Sequence, residues 1–419
     1  MSDRVTATYL VESPLPLAKA AEVLAGEQSS GTFVALPGET EELKQAFAAR
    51  VEAVRELETV ATPSLPGSRV KGNRNPDRFT RGEVVVSWPV HNFGHNLPAL
   101  ITTLQGNLYE LSQFSALKLM DFDLPDSFAA AYRGPKFGFD GTRQLVGAPS
   151  GKPLIGTIIK PSVGLTVEQT ADMVRVLCEA GIDFIKDDEL QANGPRSPFD
   201  ARVDAVMRII NDHAQRAGRK VMYAFNATDE WDRLPAHYDK LLSAGATCIM
   251  LNLNTVGHAA VKAMADRGQL AVHGHRNGWG MLNRCPSLGM AFAAYQKFWR
   301  LAGVDQIHVN GIANKFWEPD DSVVASIEAC RKPLGTQKTI CPVISSGQTG
   351  LQAPETYRRI QTADVLYLAG GGIAAHPAGP AAGVRSLRQC WEAAVSGVPL
   401  DEYAKTHSEL RQSIEKFGN

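Results

Sequence analysis

The tetrapeptide Lys186-Asp187-Asp188-Glu189 sets a lysine against three carboxylates at the end of a short apolar run. If that run is a strand, alternation by two puts Lys186 and Asp188 on one face, and Glu189 sits where it can turn toward them. Such oxygen ligands suit a hard cation of the Mg²⁺ type, which would offset the cost of burying the charges. A lysine–carboxylate ion pair with a purely structural role is the competing explanation. Lys160, Asn226, His273, His275, Arg276, His308 and Asn310 close other apolar runs, as do Ser345-Ser346-Gly347 and Gly370-Gly371-Gly372. Backbone N–H groups in glycine turns of the last two kinds cradle phosphate, although two tight turns would read the same way. His273 lies deeper than His275 and fits a packed core histidine. His91 and His95 have no cluster around them, and Gly147 to Lys152 is a near-miss phosphate loop with the wrong spacing.

Something must hold these residues together. Eight runs of strand character, at 154–160, 183–189, 221–228, 248–253, 270–276, 306–311, 340–347 and 365–372, each precede an amphipathic stretch. The helical pattern is clearest at 166–181, 200–218 and 288–303, with apolar residues three and four apart and glycine at the end. Eight such units are the rhythm of a closed parallel (β/α)8 barrel, whose chemistry sits at the carboxyl ends of the strands. A doubly wound open sheet is the alternative. The first 135 residues break this rhythm. Strand-like 5–12, 32–36 and 83–90 alternate irregularly with helix-like 18–25, 40–54 and 97–113, so an α+β domain over 1–135 is expected before a barrel over 136–400. The link falls in the Gly/Pro-rich stretch 133–151, and 401–419 forms a polar helical tail.

Bulk composition excludes several function classes. With 44% hydrophobic residues the chain is neither fibrous nor disordered, and 43 basic against 44 acidic side chains give no field that favours nucleic acid or a membrane surface. One basic segment, 68–81, is punctuated by Gly, Asn and Pro and is expected to be a solvated loop. Six scattered cysteines show no metal spacing, and the N-terminus shows no signal-peptide pattern. A cytoplasmic location is the expectation.

Six motifs in order, GTIIKPSVGL (156–165), DFIKDDE (183–189), HGHR (273–276), GVDQIHVNG (303–311), PVISSG (342–347) and GGGIAAHP (370–377), resemble the large subunit of ribulose bisphosphate carboxylase/oxygenase, RuBisCO. In the first domain GEQSSGTF (26–33) and GN (106–107) resemble that family's two substrate-contacting segments. The resemblance implies that Lys186, carbamylated by CO₂, holds Mg²⁺ with Asp188 and Glu189. It makes Lys160 the acid/base lysine and sets His275 near the substrate hydroxyls. Arg276, His308 and Ser345 resemble one phosphate site; Thr32, Lys315, Gly347, Gly370 and Gly371 resemble the other, with Lys315 on a mobile loop. Glu27 and Asn107 would complete the site of a neighbouring subunit in a homodimer.

Three departures matter. Carboxylases of the family have a second lysine where this chain has Ser162, a histidine where it has Trp279 and a glycine where it has Asn310. Loss of a cation near Lys160 alters that lysine's pKa and the field on a developing carboxylate. The chain therefore resembles the RuBisCO-like, non-carboxylating branch. That branch enolises or isomerises methylthio-ribulose-type phosphates, or decarboxylates or cleaves 3-oxo-isoapionate 4-phosphate, through a shared enediolate. Retention of the metal ligands, Lys160 and Lys315 favours decarboxylation or C–C cleavage of a 3-oxo sugar-acid phosphate, and Trp279 would narrow the site toward a single phosphate. A non-catalytic barrel and a metal-free aldolase using Lys160 or Lys186 as a Schiff base are the other classes.

Overall fold

The computed structural model describes residues 3–30, 38–69 and 76–418. The chain forms two compact units, one of Met1–Tyr132, Gly278–Leu301 and Leu334–Gln337, the other of Arg133–Asn277, Ala302–Pro333 and Lys338–Asn419.

In the first unit, strand β1 (Arg4–Ser13) buries Val5, Ala7, Tyr9 and Val11 on one face, the alternation expected of a half-covered sheet. It pairs antiparallel with β3 (Phe79–Pro89) and β4 (Ala116–Asp123), and β2 (Arg50–Val60) lies at the edge beyond β3. The helical pattern at 40–54 is thus only half realised. Thr40 caps a helix over Glu41–Phe47, after which the chain becomes β2, whose mostly exposed side chains erase the apolar alternation that would have marked a strand. The helix expected over 97–113 stops at Leu104, and a 3₁₀ turn follows over Gly106–Glu110. Gly106 has φ +38°, and a side chain there would overlap Gln28, so the segments bearing Glu27 and Asn107 meet at that glycine. The strand-like run 32–36 and Thr32 lie outside the described residues, as does the centre of the basic loop.

In the second unit, β5 (Leu154–Ile158), β6 (Phe184–Lys186), β7 (Met222–Asn226), β8 (Cys248–Asn252) and β9 (Ala271–His275) run parallel in chain order. The next strand, β10 (Leu288–Met290), leaves the barrel and adds to β4 in the first unit. The stretch 288–303 is accordingly a strand followed by the helix Phe292–Leu301, not one helix. Gly289 explains the break: its φ is +99°, and a Cβ there would collide with the Leu282 carbonyl. Strands β11 (Gln306–Asn310), β12 (Cys341–Ser345) and β13 (Leu366–Leu368) complete the ring, which closes by pairing β13 with β5.

Leu154, Phe184, Met222, Cys248, Ala271, Cys341 and Leu366 form the apolar core of the barrel, joined by Phe139 and Val146. Those two belong to a helix, Gly138–Val146, inside the stretch expected to be a bare link. Local signals also set the outer helices. Thr166 and Gln169 form a reciprocal capping box before Val167–Glu179, and Gly218 ends Phe199–Ala217 in the left-handed conformation. The helix Ser408–Phe417 docks on Pro380–Ser396 through Glu409, bonded by Arg385 and Gln389. Among the described residues no helix is long and apolar enough to cross a membrane.

Candidate active site

Most of the polar residues singled out from the barrel sequence lie at the carboxyl ends of its strands or beyond them, while His273 and His308 sit in the middle of β9 and β11. Lys186, the last residue of β6, is 1% exposed, and burial lowers its ammonium pKa to about 8 although Glu189, Asp188 and Asp187 pull the other way. Asp188 is equally buried. Burial alone would raise its carboxyl, but the Lys160 ammonium, 2.5 Å from Oδ2, and the Leu190 N–H hold it below the usual carboxylate range. Lys160 reaches in from the loop after β5 and also donates to Ser162 Oγ at 2.9 Å. Glu189 is positioned through its backbone: its carbonyl accepts from Asn226 Nδ2 at 3.0 Å and Asn252 Nδ2 at 2.9 Å, while Oε2 lies 3.7 Å from His275 Nε2.

Behind this cluster runs a chain of uncharged partners. Thr142 Oγ1 donates to the Gly138 carbonyl and accepts from Gln306 Nε2, leaving Gln306 Oε1 to accept from His273 Nδ1 at 2.9 Å. With its proton on Nδ1, neutral His273 accepts at Nε2 from His308 Nε2, and His308 Nδ1 then accepts from Ser345 Oγ, both at 2.9 Å. Every member is satisfied with both imidazoles neutral. Burial pushes in the same direction, lowering His273 to about 3 and His308 well below its usual range. His275 is also driven well below, first by burial and then by Lys186, and its Nδ1 is buried without a hydrogen-bond partner among the described residues.

Arg276, next to His275, faces Glu318 at 3.6 Å. Glu318 also accepts from Asn310 Nδ2 at 2.5 Å and Ser322 Oγ at 2.7 Å, and Asn310 Oδ1 accepts from Ser346 Oγ at 2.6 Å. This network fastens the loop after β11. Asn314 donates to the Glu318 carbonyl, Ala313 N–H to Asp320, and Lys315 N–H to the Ser346 carbonyl at 3.2 Å. The loop carrying Lys315 is thus bonded at three successive residues, Ala313, Asn314 and Lys315. Its side chain is exposed beside Gly347, where a Cβ would press on it at 3.1 Å. Gly370 and Gly371 open a short helix, and a Cβ added at Gly371 would meet nothing within 4 Å.

Glu27, Asn107 and Trp279 belong to the first unit. Glu27 ends the helix Leu17–Glu27, and Trp279 is buried against Tyr295 and Phe292. Two barrel residues escaped the sequence reading. Asp187, between two expected ligands, points to the other face, where Tyr223 Oη donates to it at 2.6 Å, the Asn226 N–H at 2.9 Å and Arg202 Nε at 3.2 Å. Strand alternation could have shown that opposite facing. Glu318, three residues past Lys315, gave no local sign of burial.

The whole chain has relatives of known family. Residues 140–417 match the catalytic domain of the ribulose bisphosphate carboxylase large chain, and 3–128 match its N-terminal domain. The chain is 53% identical to the 3-oxo-isoapionate-4-phosphate transcarboxylase/hydrolase of Xanthobacter autotrophicus, over 99% of both chains. It is 46% identical to the 3-oxo-isoapionate-4-phosphate decarboxylase of Rhizobium etli, again over 99% of each. A crystal structure of a rubisco-like protein from Burkholderia fungorum, 42% identical, superposes with a TM-score of 0.93 over 99% of this chain and 100% of that one. With both domains matched and the carboxyl-end cluster assembled on a closed eight-stranded barrel, the chain belongs to the RuBisCO large-chain family, among its RuBisCO-like proteins.

Proposed function

We propose that this protein is an Mg²⁺-dependent enzyme that decarboxylates or cleaves the carbon chain of a 3-oxo sugar-acid phosphate of the 3-oxo-isoapionate 4-phosphate type, and does not fix CO₂. The observation that carries the reading is the convergence of Lys160 and Lys186 on Asp188 beside Glu189. Full-length similarity to enzymes named for that substrate supports it.

The donor set fits a hard cation. Among the described residues no group of three His, Cys, Asp or Glu side chains is arranged to hold a metal ion, so Asp188 and Glu189 need a further oxygen donor. A carbamate on Lys186 supplies one, and an amine with its pKa lowered to about 8 keeps an appreciable neutral fraction for reaction with CO₂. Mg²⁺, when bound, stabilises negative charge developing at the 3-oxo group.

The chain's own groups do the rest. Lys160, held by Asp188 and Ser162, is placed to deliver a proton to the carbon that loses its substituent. His275, whose burial keeps its ring neutral, serves the substrate hydroxyls. Lys315, Gly347, Gly370 and Gly371 hold the phosphate. Arg276, His308 and Ser345 line the other end. Glu27 and Asn107 of a second copy complete the site, making a homodimer the active species.

The test is ¹³C NMR of products from 3-oxo-isoapionate 4-phosphate with Mg²⁺ and after chelation. Metal-dependent loss of the carboxyl carbon, or its appearance in a cleaved fragment, is the expected result; an isomer with the carbon skeleton intact would favour the enolase or isomerase reading.

A further inference from the structure

The family resemblance alone would put one of two phosphates against Arg276. The charges around that residue are arranged otherwise. Arg276 and Glu318 are both buried, with opposite charges 3.6 Å apart, and opposite unit charges so close cancel most of their field a few ångströms away. Asn310 and Ser322 supply the remaining donors to Glu318, so the carboxylate is held by the fold and does not swing away. The neighbouring Ser345, His308, His273 and Gln306 satisfy one another without any charge. Lys315, three residues before Glu318 and beside Gly347, is exposed, and no acidic side chain pairs with it among the described residues.

We propose that the Arg276 end of the site receives an uncharged, hydroxyl-bearing end of the substrate, and that Glu318 is the specificity-determining residue that excludes a second phosphate there. This rests on the barrel site being the substrate site, as in the proposed function, and adds the orientation: the single phosphate lies toward Lys315 and the glycine turns. A phosphate dianion on Arg276 would share that guanidinium with a fixed carboxylate, and the like-charge repulsion offsets what the arginine offers. A hydroxyl meets no such opposition and accepts from the guanidinium directly.

Calorimetric titration of the Mg²⁺- and bicarbonate-treated protein with ribulose 5-phosphate and ribulose 1,5-bisphosphate reads this out. In the wild type the second phosphate should improve Kd by less than about threefold, since a half-neutralised arginine offers little net attraction. Glu318→Gln keeps the shape and frees the cation, so the bisphosphate should tighten by about tenfold or more while the monophosphate changes little. A wild-type preference for the bisphosphate above about tenfold, or a ratio unmoved by Glu318→Gln, overturns the inference. Binding of neither ligand overturns it together with the barrel-site reading, whereas a high bisphosphate preference leaves that reading intact. If Glu318→Gln does not fold, the wild-type ratio decides alone.

Discussion

Lys160 Nζ and Asp188 Oδ2 sit 2.5 Å apart, joining the loop after β5 to a carboxylate that is 1% exposed. Lys160→Ala removes both the proposed proton donor and the cation facing Asp188. Turnover should fall by about 10²- to 10⁴-fold, the usual worth of a positioned acid or base. Steady-state kinetics on the folded variant check this, and a kcat within about tenfold of wild type would remove Lys160 from the chemistry.

Protein equilibrated with ¹³C-bicarbonate and Mg²⁺ should show a carbamate carbon resonance by NMR that disappears in Lys186→Arg. The arginine keeps the charge and offers no amine that reacts with CO₂. Lys186→Ala should also lose metal-dependent turnover while remaining folded. No carbamate signal in the wild type, or full activity in Lys186→Ala, would refute the assigned role.

Asp187 and Arg202 are both fully buried and partnered. Asp187→Ala leaves the guanidinium with only carbonyl and hydroxyl partners at 197, 191 and 192 and no counter-charge. Breaking a buried pair in this way costs about 3–5 kcal/mol, to be read from urea unfolding. A loss below about 1 kcal/mol would show that Asp187 does not anchor the end of β6.

Glu409 titrates at about 2, depressed first by the Gln389 amide and then by Arg385. The folded value lies below the unfolded one of about 4.3, so this contribution is complete above the unfolded value and is lost as pH falls through about 2. Thermal unfolding of Glu409→Gln should therefore respond less than wild type to acidification between about pH 4.5 and 2. Identical pH profiles would show that the docking of Ser408–Phe417 does not depend on this charge.

With Mg²⁺ and labelled bicarbonate the protein should not convert ribulose bisphosphate to labelled 3-phosphoglycerate at a carboxylase rate. Ser162 accepts from Lys160 where carboxylases have a second cation. Loss of one preorganised charge of that kind typically costs about 10²- to 10³-fold. Rapid incorporation of label would restore the ancestral reaction.

The barrel was legible because its strands are short apolar runs, most of them closed by polar residues, and β5–β9 and β11–β13 fall inside the eight stretches read from sequence. The grouping of Lys186, Asp188 and Glu189 was legible for the same reason, since adjacency and strand alternation fix which side chains meet; the meeting of Lys160 with Asp188 was not, because Lys160 reaches in from the loop after another strand. β2 was not, because an exposed edge strand rich in Arg and Glu carries a helix-like local pattern that only its partner β3 overrules. Glu318 was not, because its burial depends on Arg276 and Asn310, contributed by two other stretches of the barrel. Asn310 was noticed as a polar end of an apolar run and as a departure from glycine; its use as a tie between Glu318 and Ser346 needed the loop's path.

The excursion of Gly278–Leu301 out of the barrel means that neither unit is a contiguous piece of chain. A gene fragment starting near residue 133 would carry β10 without β4, its ladder partner at Leu117, Lys118 and Leu119. The complementary fragment would present β4 as a bare edge, and unpaired edges recruit strands from other molecules. The two halves should therefore be insoluble when expressed alone and recover when expressed together, so that recombination between relatives is tolerated only where β4 and β10 are exchanged together.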